Sequence, residues 1–303
     1  MYELIQVSDH DYYIDCPARI GLVRVGGSEV VLIDSGNDKD AGKKVYRILE
    51  SNGWNLHAIL NTHSHADHIG GNHFLQEKTG CKIYAKGMEC VYSNTPLLEP
   101  TGLYGGRPFK ELKNKFLLAK ESRVLPLTSD VLPAGMEILD LPGHCFDMVG
   151  FRTKEGTAYI ADSLSSEETL AKCGIGYLWD PKMTLETLAY LKMLDAACFV
   201  PSHAPVMTEK EQLVRLADEN IDEIMAIKEK ILELCGVPVT FEALLKQVFD
   251  AYHLRMSAQQ YALIGSTLRS YLSCLYEENK ITYYFEDNQM FWQTQTGMPK
   301  EEA

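Results

Sequence analysis

Apolar positions in this chain follow two periods, and the change between them divides it. Up to about residue 200, short apolar runs bounded by glycine, proline or polar pairs alternate with stretches of helical spacing. Segments 2–7, 20–25 and 30–33 read as strands, the second turning into the third at Gly26-Gly27. The unbroken run Val30-Val31-Leu32-Ile33 predicts a strand buried on both faces and ending at Asp34. Segment 41–52 places Val45, Ile48 and Leu49 on one helical face. Further strands are expected at 58–60, 82–85, 137–141, 148–152, 158–161 and 198–200, with a helix over 182–194. This alternation argues for α/β layers. From 208 the pattern becomes one long helix to 234, broken by Gly236-Val237-Pro238. Helices at 241–252 and 258–277, then strands at 281–285 and 290–292 around Asp287-Asn288, suggest a compact winged-helix-like unit. The expected organisation is therefore a catalytic unit over 1–235 and a small C-terminal unit over 236–303.

Composition narrows the function. Of 303 residues, 46% are hydrophobic and 23% charged, an ordinary globular balance. A formal net charge of −13 without a lysine or arginine run disfavours nucleic acid and anionic membrane surfaces. The opening MYELIQVSDHDYY lacks the apolar core of a signal peptide, and no apolar run is long enough to span a bilayer. Eight scattered cysteines without a CxxC pair read as reduced thiols. Together these point to a cytoplasmic protein with a small-molecule substrate, and with a second copy of the chain as its only expected macromolecular partner.

The strongest chemical signal is His63-Ser64-His65-Ala66-Asp67-His68, where three of the nine histidines and an aspartate fall within six residues after a buried strand. His144, Asp162 and His203 each follow another apolar strand at its carboxyl end, where α/β sites collect. Imidazole and carboxylate suit zinc, iron or manganese.

These residues resemble the metallo-β-lactamase superfamily. The match consists of Asp34 after VVLI, HSHADH at 63–68, His144 in LPGH, Asp162 in YIADS and His203 in VPSH, in order over about residues 1–230. The resemblance implies a four-layer αβ/βα sandwich with the site at one edge of its two sheets. It implies that His63, His65 and His144 bind one metal and Asp67, His68 and His203 a second, with Asp162 bridging both. Asp34 would orient the histidine loop. The cofactors implied are two divalent ions, zinc with iron or manganese as alternatives. A hydroxide bridging two such ions is a strong nucleophile at neutral pH, and Asp67 beside it could orient it or take its proton. The expected reaction is hydrolysis of a small ester, thioester or lactone.

The sequence also departs from one branch of that superfamily. Thioesterases of acylglutathione carry a pattern resembling GHTxGH; here Met148 stands at the second histidine, with Cys145, Phe146 and Asp147 between. The ligand histidine is kept, and glutathione specificity does not carry over. Cys145 reads as a small packed thiol. Segment 94–128 has no clear period and is expected to be an irregular lid over the site, partly helical near 109–119. Tyr92, Leu97, Leu98, Leu103, Tyr104 and Phe109 would line a pocket, and Tyr104, Arg107 and Lys110 are candidates for holding a substrate anion. The competing functions are a single-iron dioxygenase of a sulfur substrate and a phosphodiesterase or nuclease of the same fold. A DNA-binding role for the C-terminal unit is disfavoured, because Lys246, Arg255, Arg269 and Lys280 are too sparse for a recognition helix. Packing or dimerisation is expected of that unit instead.

Overall fold

The computed structural model describes residues 2–295, without the side chains of 171–173, so the last eight residues of the expected C-terminal unit lie outside it. Strands β1 (Glu3–Gln6), β2 (Asp11–Asp15), β3 (Ile20–Gly26), β4 (Glu29–Ile33), β5 (Asn55–Leu60), β6 (Lys82–Ala85) and β7 (Val124–Pro126) form one sheet in chain order. β8 (Glu137–Asp140), β9 (Val149–Arg152), β10 (Thr157–Ser165) and β11 (Cys198–His203) form a second, ordered β11-β10-β9-β8. Val31, Ile33 and Leu60 of the first sheet pack against Phe151, Tyr159 and Val200 of the second. The approach is tight at Gly21, where a Cβ would lie 2.7 Å from the Tyr159 ring.

Helices cover both outer faces. Val45 and Leu49 of α1 (Lys39–Ser51) and Leu75 of α3 (Asn72–Thr79) pack on the first sheet, with the short α2 (Ala66–Ile69) between the two helices in sequence. The second sheet is covered by α7 (Pro181–Met193) and α8 (Lys210–Leu234), which follow α6 (Glu167–Cys173). This is the four-layer sandwich expected. β4 pairs with β5, and β10 with β11, in parallel. Their carboxyl ends deliver Asp34, the loop at Asn61–His63, Asp162 and His203 to the site.

Two stretches differ from the sequence reading. β2 was not anticipated, because Asp11 and Asp15 flank its apolar centre; Asp11 is buried and accepts a hydrogen bond from Thr153 Oγ1 at 2.6 Å. Segment 94–128 is irregular only in part, chiefly over 105–123. It continues from α4 (Gly87–Asn94) into α5 (Leu98–Tyr104), a single 3-10 turn at Lys110–Leu112, and β7. The helix expected near 109–119 reduces to that turn. α5 accepts Pro100 in its first turn, where no intrahelical partner is lost, and ends at Gly105 with φ 75°. β7 is an edge strand held by pairing with β6, which tolerates Pro126.

The C-terminal segment has the expected helix, helix, hairpin order. β12 (Val239–Thr240), α9 (Phe241–Ala251), α10 (Ala258–Glu277), β13 (Ile281–Glu286) and β14 (Gln289–Thr294) follow α8, with sheet order β12-β14-β13. It shares one apolar core with the second sheet's helical layer. Leu188, Ile224, Ile231, Leu245, Leu268 and Ile281 belong to a single buried cluster. Among the described residues, no helix is long and apolar enough to cross a membrane.

Gly143, immediately before His144, has φ 121°, and a Cβ there would lie 2.4 Å from the Thr184 backbone nitrogen. Both strain and clash oppose any side chain. Gly143→Ala is expected to lower unfolding free energy by about 2–4 kcal/mol, measured by denaturant titration; a loss below experimental error contradicts this.

Candidate metal centre

The seven residues singled out from the sequence converge. The ligand atoms of His63, His65 and His144, together with Cys145 Sγ, form one group, and those of Asp67, His68, Asp162 and His203 a second, each within 4.8 Å. His65 Nδ1 lies 3.1 Å from His63 Nε2 and 3.0 Å from His144 Nε2. In the second group, His203 Nε2 lies 3.2 Å from Asp67 Oδ2. Asp162 sits between them. Its Oδ2 is 3.8 Å from His63 Nε2, 3.5 Å from His144 Nε2 and 3.4 Å from His203 Nε2, while its Oδ1 is 3.2 Å from His68 Nε2.

An outer row of partners aims each ring. His68 Nδ1 faces Asp34 Oδ2 at 2.8 Å, and His203 Nδ1 faces the Pro17 carbonyl at 3.0 Å. Thr62 Oγ1 donates to Asp34 Oδ2 at 2.7 Å, which leaves that oxygen to accept from His63 Nδ1 at 2.9 Å. In all three, a proton on Nδ1 turns Nε2 into the cluster. Asp34 also accepts from the Thr62 amide at 2.8 Å, so one carboxylate organises two imidazoles and the loop backbone. Asp34 itself has φ 66°, a conformation aspartate tolerates better than most residues. Two glycines hold the loop against it. A Cβ on Gly70 would lie 2.3 Å from the Asn37 carbonyl, and one on Gly71 2.3 Å from the Ser35 carbonyl oxygen.

His65 is oriented oppositely, with Nδ1 inward and Nε2 outward. Glu99 Oε1 of α5 lies 3.4 Å from Nε2, and Cys145 Sγ lies 3.3 Å from the same atom. Cys145 therefore meets the back of the ring, 3.9 Å from Nδ1, and burial pushes its thiol well up. It packs against His65, and its sulfur also falls within the first ligand group. Glu89 of α4, also buried, accepts from the Ser64 amide at 2.9 Å, the Ser64 hydroxyl at 2.6 Å and the Asp147 amide at 3.2 Å. It ties the 63–68 loop to the His144 loop.

The electrostatics split by group. Burial lowers His63 strongly, His65 to about 4 and His144 to about 3, so these rings are neutral ligands at physiological pH. In the second group the Asp162 charge raises His203 to about 10. Burial works against a proton on His68, yet Asp162, Asp67 and Asp34 hold it well up. Burial would raise Asp67 and Asp162, and the facing His68 and His203 bring both below the usual carboxylate range. His68 Nε2 and Asp162 Oδ1 are buried and face each other at 3.2 Å, yet neither makes a hydrogen bond of acceptable geometry with any described residue. Buried polar atoms seldom remain unpaired. An imidazole nitrogen and a carboxylate oxygen left so, among five imidazoles and two carboxylates, fit divalent cations of the zinc type.

Three cavities meet the centre, one of them at His203 beside Arg19 and Arg215; Tyr177 lines the other two, its ring edge-on to His65 at 5.1 Å and His144 at 5.6 Å. The first of these two, about 410 Å³, is bordered by His65, Glu99, Phe146, Trp179, Lys182 and Arg269. Glu99, Gly102 and Leu103 of α5 and Tyr92 of α4 contribute, so the 94–128 segment does reach the site. Leu97, Tyr104 and Phe109 do not, and are exposed; Arg107 and Lys110 are likewise absent from its wall. The unexpected contributor is α10, which supplies Ser266, Arg269, Ser270 and Ser273. The C-terminal unit walls the site rather than only packing behind it. Glu89, Glu99, Tyr177 and the α10 residues carried no sequence signal, since none stands at a strand end or in a spaced motif.

A family profile described as the metallo-beta-lactamase superfamily matches residues 13–203. The chain is 24% identical over 205 residues to a hydroxyacylglutathione hydrolase of Erythrobacter litoralis, covering 65% of this chain and 70% of that one. It is 27% identical over 158 residues to a hydroxyacylglutathione hydrolase of Rhodospirillum rubrum, covering 50% and 51%. The chain thus spans between half and about two thirds of these relatives. A metallo-beta-lactamase family protein from Thermus thermophilus superposes with TM-score 0.70 at 18% identity, over 97% of this chain and 98% of that one. That likeness is of fold, and it includes the C-terminal unit.

Asp34→Asn is expected to weaken metal affinity about 10–100-fold without unfolding the chain, measured by competition with a chromophoric chelator. Asp162→Ala and His65→Ala should release metal, and Cys145→Ser should retain it; metal loss in a folded Cys145→Ser protein contradicts the packed-thiol reading. Because binding displaces the His203 proton, apparent affinity should rise with pH toward about 10 and fall in acid.

Proposed function

The chain belongs to the metallo-beta-lactamase superfamily and is a metal-dependent hydrolase, and from that premise we propose that it holds two divalent ions and cleaves a small ester, thioester or lactone. The observation that carries this reading is Asp162, whose two oxygens face both ligand groups at once. Two adjacent cations repel, and a shared carboxylate relieves that repulsion. His63, His65 and His144 would hold one ion, and Asp67, His68 and His203 the other. When bound, such a pair supplies an acidified water and polarises the carbonyl under attack.

The chain's own residues account for the remaining requirements. Asp67 is the most open of the seven, with 38% of its side chain exposed, so its carboxylate can meet a water or a leaving group. It is placed to orient the attacking water and accept its proton. His65 and His144 are held neutral as ligands, and Tyr177 shields them from bulk water. No serine or cysteine nucleophile is required. A single-iron oxygenase would need only two histidines and one aspartate, leaving the second group without a purpose. The seven free thiols among the described residues suit a reducing cytoplasm.

Purified protein is expected to contain close to two transition-metal ions per chain, zinc foremost, and to hydrolyse members of a thioester and lactone panel in preference to phosphodiesters. One tightly held iron with no second ion would overturn the two-metal reading. Asp67→Asn should lower kcat about 10²–10⁴-fold while the protein remains folded.

A further inference from the structure

The second of the two cavities lined by Tyr177 has the opposite character from the first. It encloses about 250 Å³, and His144, Asp162 and His203 form the wall it shares with the centre. Leu164 of β10, Leu170 of α6, Leu178, and Ile224 and Ile227 of α8 contribute apolar surface. No lysine or arginine lines it. Glu223 does, and burial pushes its carboxyl up, toward the uncharged acid. Away from the wall shared with the metal centre, a phosphate or a carboxylate in this cavity would find no cation.

One polar group stands out within it. Tyr271 of α10 is 1% exposed, lines the cavity, and its hydroxyl makes no hydrogen bond with any described residue. Asn220, the neighbouring amide, is by contrast fully engaged with the Ser165 backbone and the Leu216 carbonyl. A buried hydroxyl without a partner destabilises the fold relative to phenylalanine at the same place. Its presence on a cavity wall is explained if a ligand completes it.

We propose that this cavity binds the acyl half of the substrate, an uncharged medium-length chain carrying one hydroxyl or keto group that the Tyr271 hydroxyl receives. The proposal rests on the hydrolytic reading of the metal centre and gives it a substrate class. A volume of 250 Å³ equals about eight water volumes, which suits an acyl group of about eight heavy atoms. The carboxyl carbon meets the metal centre at the His144, Asp162 and His203 wall, and the chain runs between α8 and α10. The leaving group then extends past Tyr177 into the first cavity, where Lys182 and Arg269 accept anionic character. α10 thus contributes to both halves of specificity.

The test uses the full zinc-loaded chain and calorimetric binding of product acids: acetate, octanoate, and octanoates bearing a single hydroxyl at successive carbons. Octanoate should bind at least about ten-fold tighter than acetate, and one hydroxylated isomer tighter still. Tyr271→Phe should erase the hydroxyl increment and keep octanoate binding. Ile224→Trp should bring octanoate to the acetate level with zinc content unchanged. If that variant does not fold, Leu178→Phe at a half-buried wall position makes the same test. Octanoate binding no tighter than acetate, or unaffected by filling the cavity, overturns the proposal. Thioester turnover with kcat/KM flat in acyl length overturns the cavity assignment alone. A protein that binds octanoate as expected but cleaves no octanoyl ester or thioester overturns the hydrolytic reading and leaves the acyl site standing.

Discussion

Asp67 and Asp162 bring two negative charges into the carboxyl edge of the sandwich, among five imidazoles, Asp162 almost wholly out of solvent and Asp67 partly so. Charges so placed need compensation, because desolvation strongly disfavours an unpaired buried carboxylate. The carboxylates raise the proton affinity of His68 and His203 in answer to it, and a divalent cation satisfies the same demand with stronger coordination. The surrounding row follows from that demand. Asp34, Thr62 and the Pro17 carbonyl occupy the outer nitrogens of three rings, so the inner nitrogens face into the cluster. Rotating any ring would leave both a partner and a carboxylate unsatisfied.

Backbone geometry makes this arrangement stiff. Asp34 occupies a left-handed conformation, and Gly70 and Gly71 let the α2 region lie directly on the turn after β4. Gly143 does the same between the His144 loop and α7. Four strand ends and two loops therefore bring their ligating side chains within a few ångströms of one another. A site of this kind is preorganised by the packing of two sheets, not by the loops alone.

Specificity is built from different material. The metal centre is made by the sandwich, whereas the cavities beside it are finished by α4, α5, α8 and α10. Because α10 shares its core with α8 and with the layer behind the second sheet, the C-terminal unit is anchored firmly enough to shape a pocket. Lys228 of α8, buried, pairs with Glu278 at the end of α10 and reinforces that anchorage. A scaffold divided in this way can alter its substrate by changing helices while its ligands stay fixed.

The seven residues that converge were legible from residue order alone, because each sits near the end of an apolar strand or in a six-residue loop. Such placement is local: a strand's direction and a short spacing fix where a side chain emerges. Asp34 was readable for the same reason. β2 and β7 were not, since their pairing depends on neighbours already in place. Segment 94–128 looked irregular because its prolines and glycines obscure a short helix that packing stabilises. Glu99, Tyr177, Arg269 and Tyr271 were invisible, because nothing local distinguishes a residue that lines a cavity from one that faces a core. The sequence by itself determined the chemistry and the layered fold. Which helix faces close the pocket, and so which substrate fits it, was decided only by long-range packing, where contacts join residues far apart in the chain.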